Sequence, residues 1–398
     1  MKHSVIRMVL AGTLLAGAAG SGLAQPGQQG PARGGDYEKV AEDGAWCWFS
    51  DPRAVYYQGK QERIYFSYIT SKGDVAISAR NMKTGETETF LLHEKLQVDD
   101  HNVASILVLA DGRLLAFYTE HNGRIFMRRS KEPEDIRTWE EEKVLPFGNR
   151  TTYSHPVMLP EENGRIYLFW RGSDWQPSFS YSEDAGTTWA DPRAFIAGEG
   201  LKNAHRPYLK VASDNKGRID FLFTDGHPAK ETFNSVYHFY YRKGKLYQTG
   251  GELIGTMEQL PVSHEKVNKV YDAAATGVRA WIADIALDKR NRPVIVYVRF
   301  PRETDHYYHY AYWDGEKWTD RELCRAGGWM PLTPGGLKTR EPHYSGGIAL
   351  DHGNVKKVYL SRQVNGIFEI ERWSRRGAGW RNRALTRGST TSNVRPYV

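Results

Sequence analysis

The sequence predicts an all-β fold, a seven-bladed β-propeller, on three observations. Aromatic residues make up 13% of the 398 residues and there are 39 glycines, a composition that favours short strands and turns over long helices. A turn of Gly and Arg, followed by an apolar strand, recurs at intervals of about 52 residues. Repeats of that length are typical of propeller blades, and about seven of them would fill the chain from residue 36 to its end.

The turn that opens each repeat has three strong copies and three weaker ones. The strong copies are Gly112-Arg113-Leu114, Gly164-Arg165-Ile166 and Gly217-Arg218-Ile219. The weaker copies lie at residues 61–64, 290–293 and 352–354. Each copy is therefore expected to lead into a strand of a different blade.

A second kind of turn marks one repeat more sharply. Residues 182–189 read Ser-Glu-Asp-Ala-Gly-Thr-Thr-Trp, which matches the Asp-box pattern S-x-D-x-G-x-T-W at every fixed position. Asp and hydroxyl side chains hydrogen-bond the backbone of such a turn, Gly supplies a positive φ, and Trp packs between strands. Degenerate copies lie at residues 313–318 and 374–380. The box supports the fold and carries no chemistry.

The first 24 residues predict a secretory signal peptide. Lys2 and Arg7 precede an apolar run over residues 8–23, and cleavage is expected after Ala24. A short membrane anchor is the alternative, but the run is brief and rich in Gly and Ala. Residues 25–37 are expected to form a disordered lead-in, and residues 38–398 a single propeller domain. The mature protein is therefore expected to be secreted or periplasmic.

The net charge of the chain bears on which kinds of molecule it could bind. The net charge is +7, and removal of the signal peptide lowers it by two. A modest positive charge suits an acidic substrate, because cationic clefts concentrate anions, and an acidic polysaccharide is the natural extracellular polyanion. A charge this small is equally compatible with no role at all. No basic run or nucleic-acid motif is present, so neither nucleic acid nor a membrane is expected as a partner.

Five motifs carry a resemblance to a known family. They are Trp46-Cys47-Trp48-Phe49-Ser50-Asp51-Pro52-Arg53, Asp99-Asp100-His101-Asn102, Phe223-Thr224-Asp225-Gly226-His227-Pro228, Tyr344-Ser345-Gly346-Gly347-Ile348-Ala349 and Asn393-Val394-Arg395-Pro396. Together with the Asp-box, they resemble the BNR-repeat propeller family from about residue 38 to the end. That family includes ulvan lyases, and lyases or rhamnosidases that act on L-rhamnosyl-glucuronate. The resemblance implies a polysaccharide lyase that cleaves the L-rhamnose-(1→4)-D-glucuronate linkage of ulvan, or of a glycan capped with rhamnosyl-glucuronate, by β-elimination.

Elimination from a 4-linked glucuronate needs three groups. A cation neutralises the C6 carboxylate, a base removes the C5 proton, and an acid protonates the departing oxygen. Arg, His and Tyr suit these tasks, so the chemistry requires no metal or other cofactor.

Two histidines are the first catalytic candidates. His101 and His121 lie 20 residues apart, at the start and end of a predicted hairpin with strands over residues 103–109 and 114–118. The hairpin would return both side chains to one edge of a blade. The resemblance implies that a histidine pair at this spacing lines the active site, whereas a single strand histidine is more often a surface or core residue.

The next predicted blade supplies Tyr153, His155 and Arg171. Residues 153 and 155 project from the same face of a regular strand. The family has Tyr and then Arg in this blade, and Tyr153 matches by residue type while the spacing favours His155. Arg171 ends an apolar strand, where a charge is unusual unless it binds an anion, so it is a candidate for the substrate carboxylate. The alternative is an ion pair of Arg171 with Asp174 or Glu183.

The following blade offers Arg206 and Tyr208, which also share a strand face. Arg206 is a second candidate for the carboxylate, and resembling lyases use a tyrosine near Tyr208. The base is then His101 or Tyr208, and the acid is Tyr153 or His121. The alternative is structural, with Tyr208 packing in the core and Arg206 in a surface ion pair.

Three further features are weaker. His227 and His238 resemble the place where some ulvan lyases hold a structural zinc, but the cysteine of those sites is absent and Ala229 stands nearby. Cys47 and Cys324 are expected to be free thiols, with a disulfide after export as the alternative. The family usually continues beyond Asn-Val-Arg-Pro into another strand, so either the last blade is expected to be short or the chain is a truncated form.

Two other functions remain open from the sequence. An α-L-rhamnosidase acting on the same disaccharide would need two carboxylates across the bond, and Asp99 and Asp100 are the paired acids near the histidines. A non-catalytic glycan-binding propeller would keep the aromatic and arginine residues without needing the histidine pair.

Overall fold

The computed structural model describes residues 37–172, 175–197, 206–302, 304–328, 344–377 and 379–398. The predicted signal peptide and all but the last residue of the predicted lead-in lie outside these ranges. Every sheet in the described chain is antiparallel, and the sheets follow one another along the sequence as propeller blades.

The first three blades are four-stranded sheets whose strands pair in sequence order. The first contains β1 (Ala54–Gln58), β2 (Glu62–Ile69), β3 (Val75–Asn81) and β4 (Thr87–His93). The second contains β5 (Ser105–Val108), β6 (Leu114–Thr119), β7 (Ile125–Arg129) and β8 (Lys143–Val144). The third contains β9 (Thr152–Leu159), β10 (Arg165–Arg171), β11 (Pro177–Ser182) and β12 (Arg193–Ala194).

The remaining blades follow the same plan with one elaboration. The fourth contains β13 (Leu209–Ser213), β14 (Arg218–Thr224), β15 (Val236–Arg242), β16 (Lys245–Gln248), β17 (Leu253–Thr256) and β18 (Lys269–Tyr271), the last paired with β15. The fifth contains β19 (Arg279–Leu287), β20 (Pro293–Arg302), β21 (Asp305–Trp313) and β22 (Trp318–Gly327). The sixth contains β23 (Ile348–Leu350), β24 (Lys357–Val364), β25 (Ile367–Arg376) and β26 (Gly379–Ala384).

The β-propeller prediction is confirmed, but the prediction of seven blades is wrong, because the described chain forms six. The six copies of the Gly/Arg turn each precede the second strand of a blade, one copy per blade. The prediction of seven blades assumes that every blade uses the same number of residues. The fourth blade instead contains two additional strands, β17 and β18. More residues also separate β22 from β23 than separate most neighbouring blades.

Helix is scarce. The single α-helix in the described chain is one turn, α1 (Ala273–Thr276), and 3-10 turns lie at Asp100–Asn102, Pro160–Glu162, Met257–Gln259 and His264–Lys266. No helix among the described residues is both long enough and apolar enough to cross a membrane.

Apolar cores lie between neighbouring blades. Between the third and fourth, Phe195 packs on Phe221 with ring centroids 4.6 Å apart, and Phe221 packs on Phe239 at 4.9 Å. The first strands of successive blades contact one another around the axis, from β1 to β23. The aromatic excess of the sequence is therefore used to fill the spaces between blades.

The Asp-box forms the turn that the sequence predicted. Asp184 accepts hydrogen bonds from the backbone of Thr187 and Thr188 at 3.0 and 2.8 Å, and Gly186 has φ 84°. Trp189 packs edge-on against Phe117 of the preceding blade, with ring centroids 5.8 Å apart. The turn thus fixes the contact between the second and third blades.

The segment after β26 joins the sixth blade to the first. Arg395 donates its backbone N–H to Gly346 O at 2.6 Å, and its guanidinium donates to Trp46 O at 2.5 Å. Trp46 in turn donates from its indole to Arg395 O at 3.2 Å. These reciprocal hydrogen bonds close the ring without a β-ladder.

The strand order of the blades distinguishes two faces of the propeller. Because the strands alternate in direction, the loops that precede the first strands and the loops that join second to third strands lie at the same face. The Asp-box lies between third and fourth strands, at the opposite face. We call the face that carries the loops before the first strands the upper face, and the face that carries the Asp-box the lower face.

Candidate active site

The upper face brings five of the seven predicted site residues together. His101 precedes β5, His121 follows β6, Tyr153 lies in β9, Arg171 ends β10 and Tyr208 precedes β13. Three successive blades therefore contribute to one cluster around their first strands, although more than 100 residues separate its first and last members along the chain.

A single carboxylate organises the two histidines. Asp99 accepts a hydrogen bond from Nδ1 of His101 at 2.5 Å and another from Nδ1 of His121 at 2.8 Å. The two imidazole rings lie parallel, with centroids 4.1 Å apart. Their side chains are 18% and 33% exposed, so both remain accessible from the upper face. Asp99 thus orients the predicted histidine pair. From the sequence, Asp99 was recognised only as one of two adjacent acidic residues near these histidines.

The environment of His101 stabilises its charged form. Burial opposes the charge, but the electrostatic interaction with Cys47 and the hydrogen bonds to Asp100 and Asp99 outweigh it and hold the pKa of His101 well above its ordinary value. Burial likewise opposes ionisation of the two carboxyl groups. Hydrogen bonding to the histidines lowers the pKa of Asp99, and the charge of Arg395 lowers that of Asp100. At neutral pH the cluster therefore holds an imidazolium between two carboxylates.

Asp100 and Cys47 form the buried side of this cluster. The backbone N–H of Cys47 donates to Asp100 O at 3.1 Å, and the guanidinium of Arg395 donates to the Asp100 carboxylate. Burial raises the pKa of the Cys47 thiol. Cys47 and Cys324 are both free thiols, as expected.

Tyr153 occupies a β-bulge. Thr152 pairs with Arg171 and Ser154 pairs with Trp170, so Tyr153 has no partner in the ladder, and its φ is 62°. A left-handed backbone is unusual for a residue of this size and is typical of functional positions. The bulge places the phenol ring beside His101, with centroids 5.3 Å apart. Burial raises the pKa of Tyr153 well above its ordinary value, so its hydroxyl retains its proton.

Arg171 lies at the centre of the cluster. Its guanidinium donates to Tyr208 Oη at 3.2 Å and to Asn122 Oδ1 and Thr152 Oγ1, both at 3.0 Å. The guanidinium carbon also lies 4.9 Å from the centroid of the Tyr153 ring. Among the described residues, these hydrogen-bond partners of Arg171 are neutral groups, and Glu183 pairs with Arg165 instead. Asp174, the other acid near Arg171 in the sequence, lies outside the described residues.

Arg206 lies farther from the cluster and is linked to it through Trp175. The Arg206 guanidinium carbon is 3.9 Å from the centroid of the Trp175 ring, and that of Arg171 is 5.0 Å from the same ring. Arg206 is exposed, which is compatible with its predicted role in binding substrate.

The structure separates His155 from these groups. The bulge at Tyr153 breaks the two-residue alternation that predicted a shared face, and His155 is buried with 2% of its surface exposed. Its charged neighbours are Asp51, Lys210 and Arg53, and burial lowers the pKa of His155 to about 3. In the same network burial opposes ionisation of Asp51, but Lys210 and Arg53 lower its pKa to about 2. His155 is therefore a neutral core residue in this arrangement.

Several aromatic residues that the sequence analysis did not assign surround Tyr208. Trp281 packs edge-on against Tyr208 at 5.3 Å, and Tyr344 stacks on Trp281 at 5.7 Å. The ring of His227 lies 4.6 Å from Trp281, and its Nδ1 accepts a hydrogen bond from the Ala229 N–H at 3.0 Å. Trp48, His227 and Tyr344 belong to the quoted motifs, but no spacing rule connected them to Tyr208.

The histidines suggested for a structural metal do not fit a shared ion. Nδ1 of His238 is 2.8 Å from Thr249 Oγ1 and its Nε2 is 3.0 Å from Asp220 Oδ1, so both ring nitrogens are engaged inside the fourth blade. Two other sets in the described chain bring three ligand atoms within 4.8 Å of one another: Cys47, Asp100 and His101, and Asp99, His101 and His121. The carboxylate and imidazole atoms of these sets are held by the hydrogen bonds and ion pairs given above.

The chain resembles known proteins at two levels. Residues 63–326 match the family described as BNR repeat-containing family member. A PL25 ulvan lyase bound to -GlcA(1-4)Rha3S- has TM-score 0.65 and 18% identity, over 86% of this chain and 85% of that chain. A second PL25 ulvan lyase structure has TM-score 0.63 and 18% identity, over 86% and 84%. These two likenesses show the propeller fold.

A more distant likeness is to a lectin of Aleuria aurantia in complex with alpha-methyl-L-fucoside. Its TM-score is 0.47 and its identity 12%, over 89% of this chain and 98% of the lectin. No curated protein sequence matches the chain.

Proposed function

The chain belongs to the BNR repeat-containing family, and we propose that it is an exported polysaccharide lyase that cleaves the L-rhamnose-(1→4)-D-glucuronate linkage of an acidic polysaccharide by β-elimination. The ulvan lyase with a similar fold is bound to a glycan that contains glucuronate and rhamnose, which supports this class of substrate. Export rests on the signal peptide that residues 1–24 predict.

The observation that carries the proposal is the position of Arg171. Its guanidinium donates to the Tyr208 hydroxyl at 3.2 Å, and the hydrogen-bond partners that it has in the described part of the chain are neutral. A uronate carboxylate placed against Arg171 would have its negative charge neutralised, and this makes the C5 proton easier to remove. The neighbouring phenol oxygen then lies within reach of that proton.

We assign Tyr208 as the base. His101 is held in its charged form and has no free lone pair for a proton, whereas the Tyr208 oxygen accepts a hydrogen bond from Arg171, the group proposed to bind the carboxylate. Tyr208 removes the proton from C5, a double bond forms between C4 and C5, and the bond from C4 to the rhamnosyl oxygen breaks. His101 contributes positive charge beside the developing anion.

The departing oxygen takes a proton from Tyr153 or His121. Tyr153 retains its proton because burial raises its pKa, and its ring lies 5.9 Å from that of Tyr208. His121 is the more exposed of the two and is oriented by Asp99, which leaves its Nε2 for the substrate side.

Hydrolysis on the same disaccharide is less well supported. Glycosidases place an acid and a second carboxylate on either side of the bond. Here Asp99 is hydrogen-bonded to two histidines and Asp100 is paired with Arg395. Both carboxylates are occupied in orienting other groups.

Ultraviolet absorbance during incubation with ulvan, and separately with gum arabic, tests the proposal. Elimination creates a 4,5-unsaturated uronate that absorbs, and hydrolysis does not. We expect absorbance to rise with the wild-type chain, to vanish in Arg171→Ala and Tyr208→Phe, and to persist in Arg137→Ala, which removes an exposed arginine from the lower face. Release of rhamnose without absorbance would identify a hydrolase, and the absence of both products would overturn the proposal.

A further inference from the structure

A cavity opens on the upper face, between the fourth and fifth blades and apart from the candidate active site. It has a volume of about 460 Å³ and is much more polar than the interior of the fold. Its most informative lining residues are Tyr271, Arg299, Arg302, Asp305, Tyr307 and Arg325. None of these belongs to the cluster around Arg171.

The register of the fifth blade explains how the cavity is built. Arg299 of β20 lies directly opposite Tyr307 of β21, and Tyr307 lies directly opposite Arg325 of β22. Directly opposed residues present their side chains on the same face of a sheet, at close spacing. Three neighbouring strands therefore place a phenol ring between two guanidinium groups.

The position of the cavity relates it to the candidate active site. Thr276 and Val278 precede β19, and Arg302 and Asp305 flank the connection between β20 and β21. The cluster around Arg171 is built from equivalent positions in the second, third and fourth blades. The cavity is thus lined by loops of the fifth blade that correspond to the loops of the candidate active site in the preceding blades.

The cationic side chains are held in different ways. The guanidinium carbon of Arg299 lies 3.9 Å from the centroid of the Tyr271 ring, and its NH2 group is bonded to Asp320. Arg325 donates from Nε to Asp305 at 2.7 Å, while its side chain stays 66% exposed. Arg302 is also exposed. The buried Asp305 therefore orients Arg325 through Nε and leaves the outer edge of its guanidinium toward the cavity mouth.

A planar guanidinium presented edge-on suits a carboxylate or a sulfate ester, and a half-buried tyrosine ring suits the apolar face of a sugar. We propose that this cavity binds an anionic sugar residue of the same polysaccharide, outside the site of cleavage. The inference rests on the proposed function for the identity of the polymer. A chain bound at both places would run across the upper face from the third blade to the fifth, so long substrates would be bound more tightly than short ones.

The test compares substrates of two lengths. The double variant Arg302→Gln with Arg325→Gln removes both exposed charges and keeps an amide to bond Asp305. Its control is Arg137→Gln with Arg242→Gln, which removes two exposed charges from the turns between third and fourth strands, at the lower face. Kinetics are measured on polymeric ulvan and on a tetrasaccharide, with thermal unfolding of every variant.

We expect KM for the polymer to rise about tenfold in the cavity variant, a loss equal to one good charged contact, with kinetics on the tetrasaccharide unchanged. The control should match the wild type on both substrates. Equal losses on both substrates, or none on either, would overturn the inference. Desulfated ulvan separates the two anions: the tenfold difference persists if the cavity binds carboxylate and disappears if it binds sulfate.

Failure of the proposed function is distinguishable from failure of this inference. If the wild type cleaves neither substrate, the proposed function fails, and retardation in gels that contain ulvan then tests the cavity alone. Weaker retardation of the cavity variant than of its control supports the cavity as an anionic glycan site. Equal retardation overturns it.

Discussion

The guanidinium of Arg395 donates a hydrogen bond to the carboxylate of Asp100. Arg395 follows the sixth blade and Asp100 precedes the second, so this contact joins the closing segment of the ring to the candidate active site. Asp100 also lies 3.0 Å from Nδ1 of His101. Ring closure and the charge of the histidine cluster are therefore physically coupled.

Loss of this pair should destabilise the fold. Arg395→Ala leaves the partly buried Asp100 without its cationic partner and removes the side-chain hydrogen bond to Trp46 O. We expect the free energy of unfolding to fall by about 3 kcal/mol, measured by urea denaturation. Arg137→Ala should change it by less than about 0.5 kcal/mol. A loss in Arg395→Ala no larger than in this control would contradict the coupling.

Asp99 should set the charge of His101. Asp99→Asn keeps the shape of the side chain and removes one of the two carboxylates, so the pKa of His101 should fall toward its ordinary value. Proton NMR titration of the ring hydrogens measures this shift. In the wild type His101 should stay protonated through pH 7, and an unchanged titration in the variant would contradict the assignment.

These shifts also determine the pH dependence of stability. His101 has a raised folded-state pKa, so its contribution is complete below its unfolded value and is lost as pH rises through the folded value. Asp99 and Asp100 have lowered values, so their contribution is present above the ordinary range and is lost as pH falls. Asp99→Asn should therefore flatten the acid limb of the denaturation profile below about pH 4.

His155 should affect acid stability without affecting catalysis. Its pKa falls from an ordinary value near 6.5 to about 3, so the folded state resists a proton that the unfolded state binds. Stability is complete above about pH 6.5 and should decrease below it, by up to about 1.4 kcal/mol per pH unit. In His155→Gln this decrease should be weaker between pH 6.5 and 4, with kcat unchanged. A large fall in kcat with wild-type stability would instead place His155 in the reaction.

Two variants should identify the acid. Replacement of the true donor, by Tyr153→Phe or by His121→Asn, should lower kcat by about 100-fold or more, since general acid catalysis contributes on that scale. The other replacement should have a smaller effect, mainly on KM. Steady-state kinetics by absorbance give both values, and thermal unfolding controls for folding. If neither variant lowers kcat, a different group protonates the leaving oxygen.

The Asp-box should contribute stability alone. Asp184→Ala removes the acceptor of the Thr187 and Thr188 backbone N–H groups and of the Thr188 hydroxyl. We expect a loss of about 1–2 kcal/mol in the free energy of unfolding, with kcat and KM as in the wild type. A change in KM would contradict a purely structural role for this turn at the lower face.

The fold was largely predictable from local patterns. The Gly/Arg turns and the Asp-box specify hairpins by themselves, and each of the six turn copies precedes the second strand of a blade. The number of blades was not predictable from the average repeat length. The fourth blade uses additional residues to form β17 and β18, and no regular pattern in the sequence marks such an insertion.

The candidate site was predictable only in part. The apolar run before Arg171 correctly placed it at the end of a strand, but the predicted shared face of Tyr153 and His155 is removed by the bulge. The predicted shared strand face of Arg206 and Tyr208 is wrong, because both residues precede β13. No local pattern connects Arg395 with Asp100, because their contact depends on closing the ring. Whether all seven predicted residues act on substrate stays a prediction.

Asp100 lies between the first and second blades and Arg395 follows the sixth, so the surroundings of His101 are complete only when the last blade has met the first. An intermediate in which the sixth blade has not yet met the first would already contain most of its hairpins, but it would hold His101 without the buried guanidinium. Recovery of turnover during refolding should therefore lag behind recovery of β-structure. The proposed lyase activity would then arise only in the final association step.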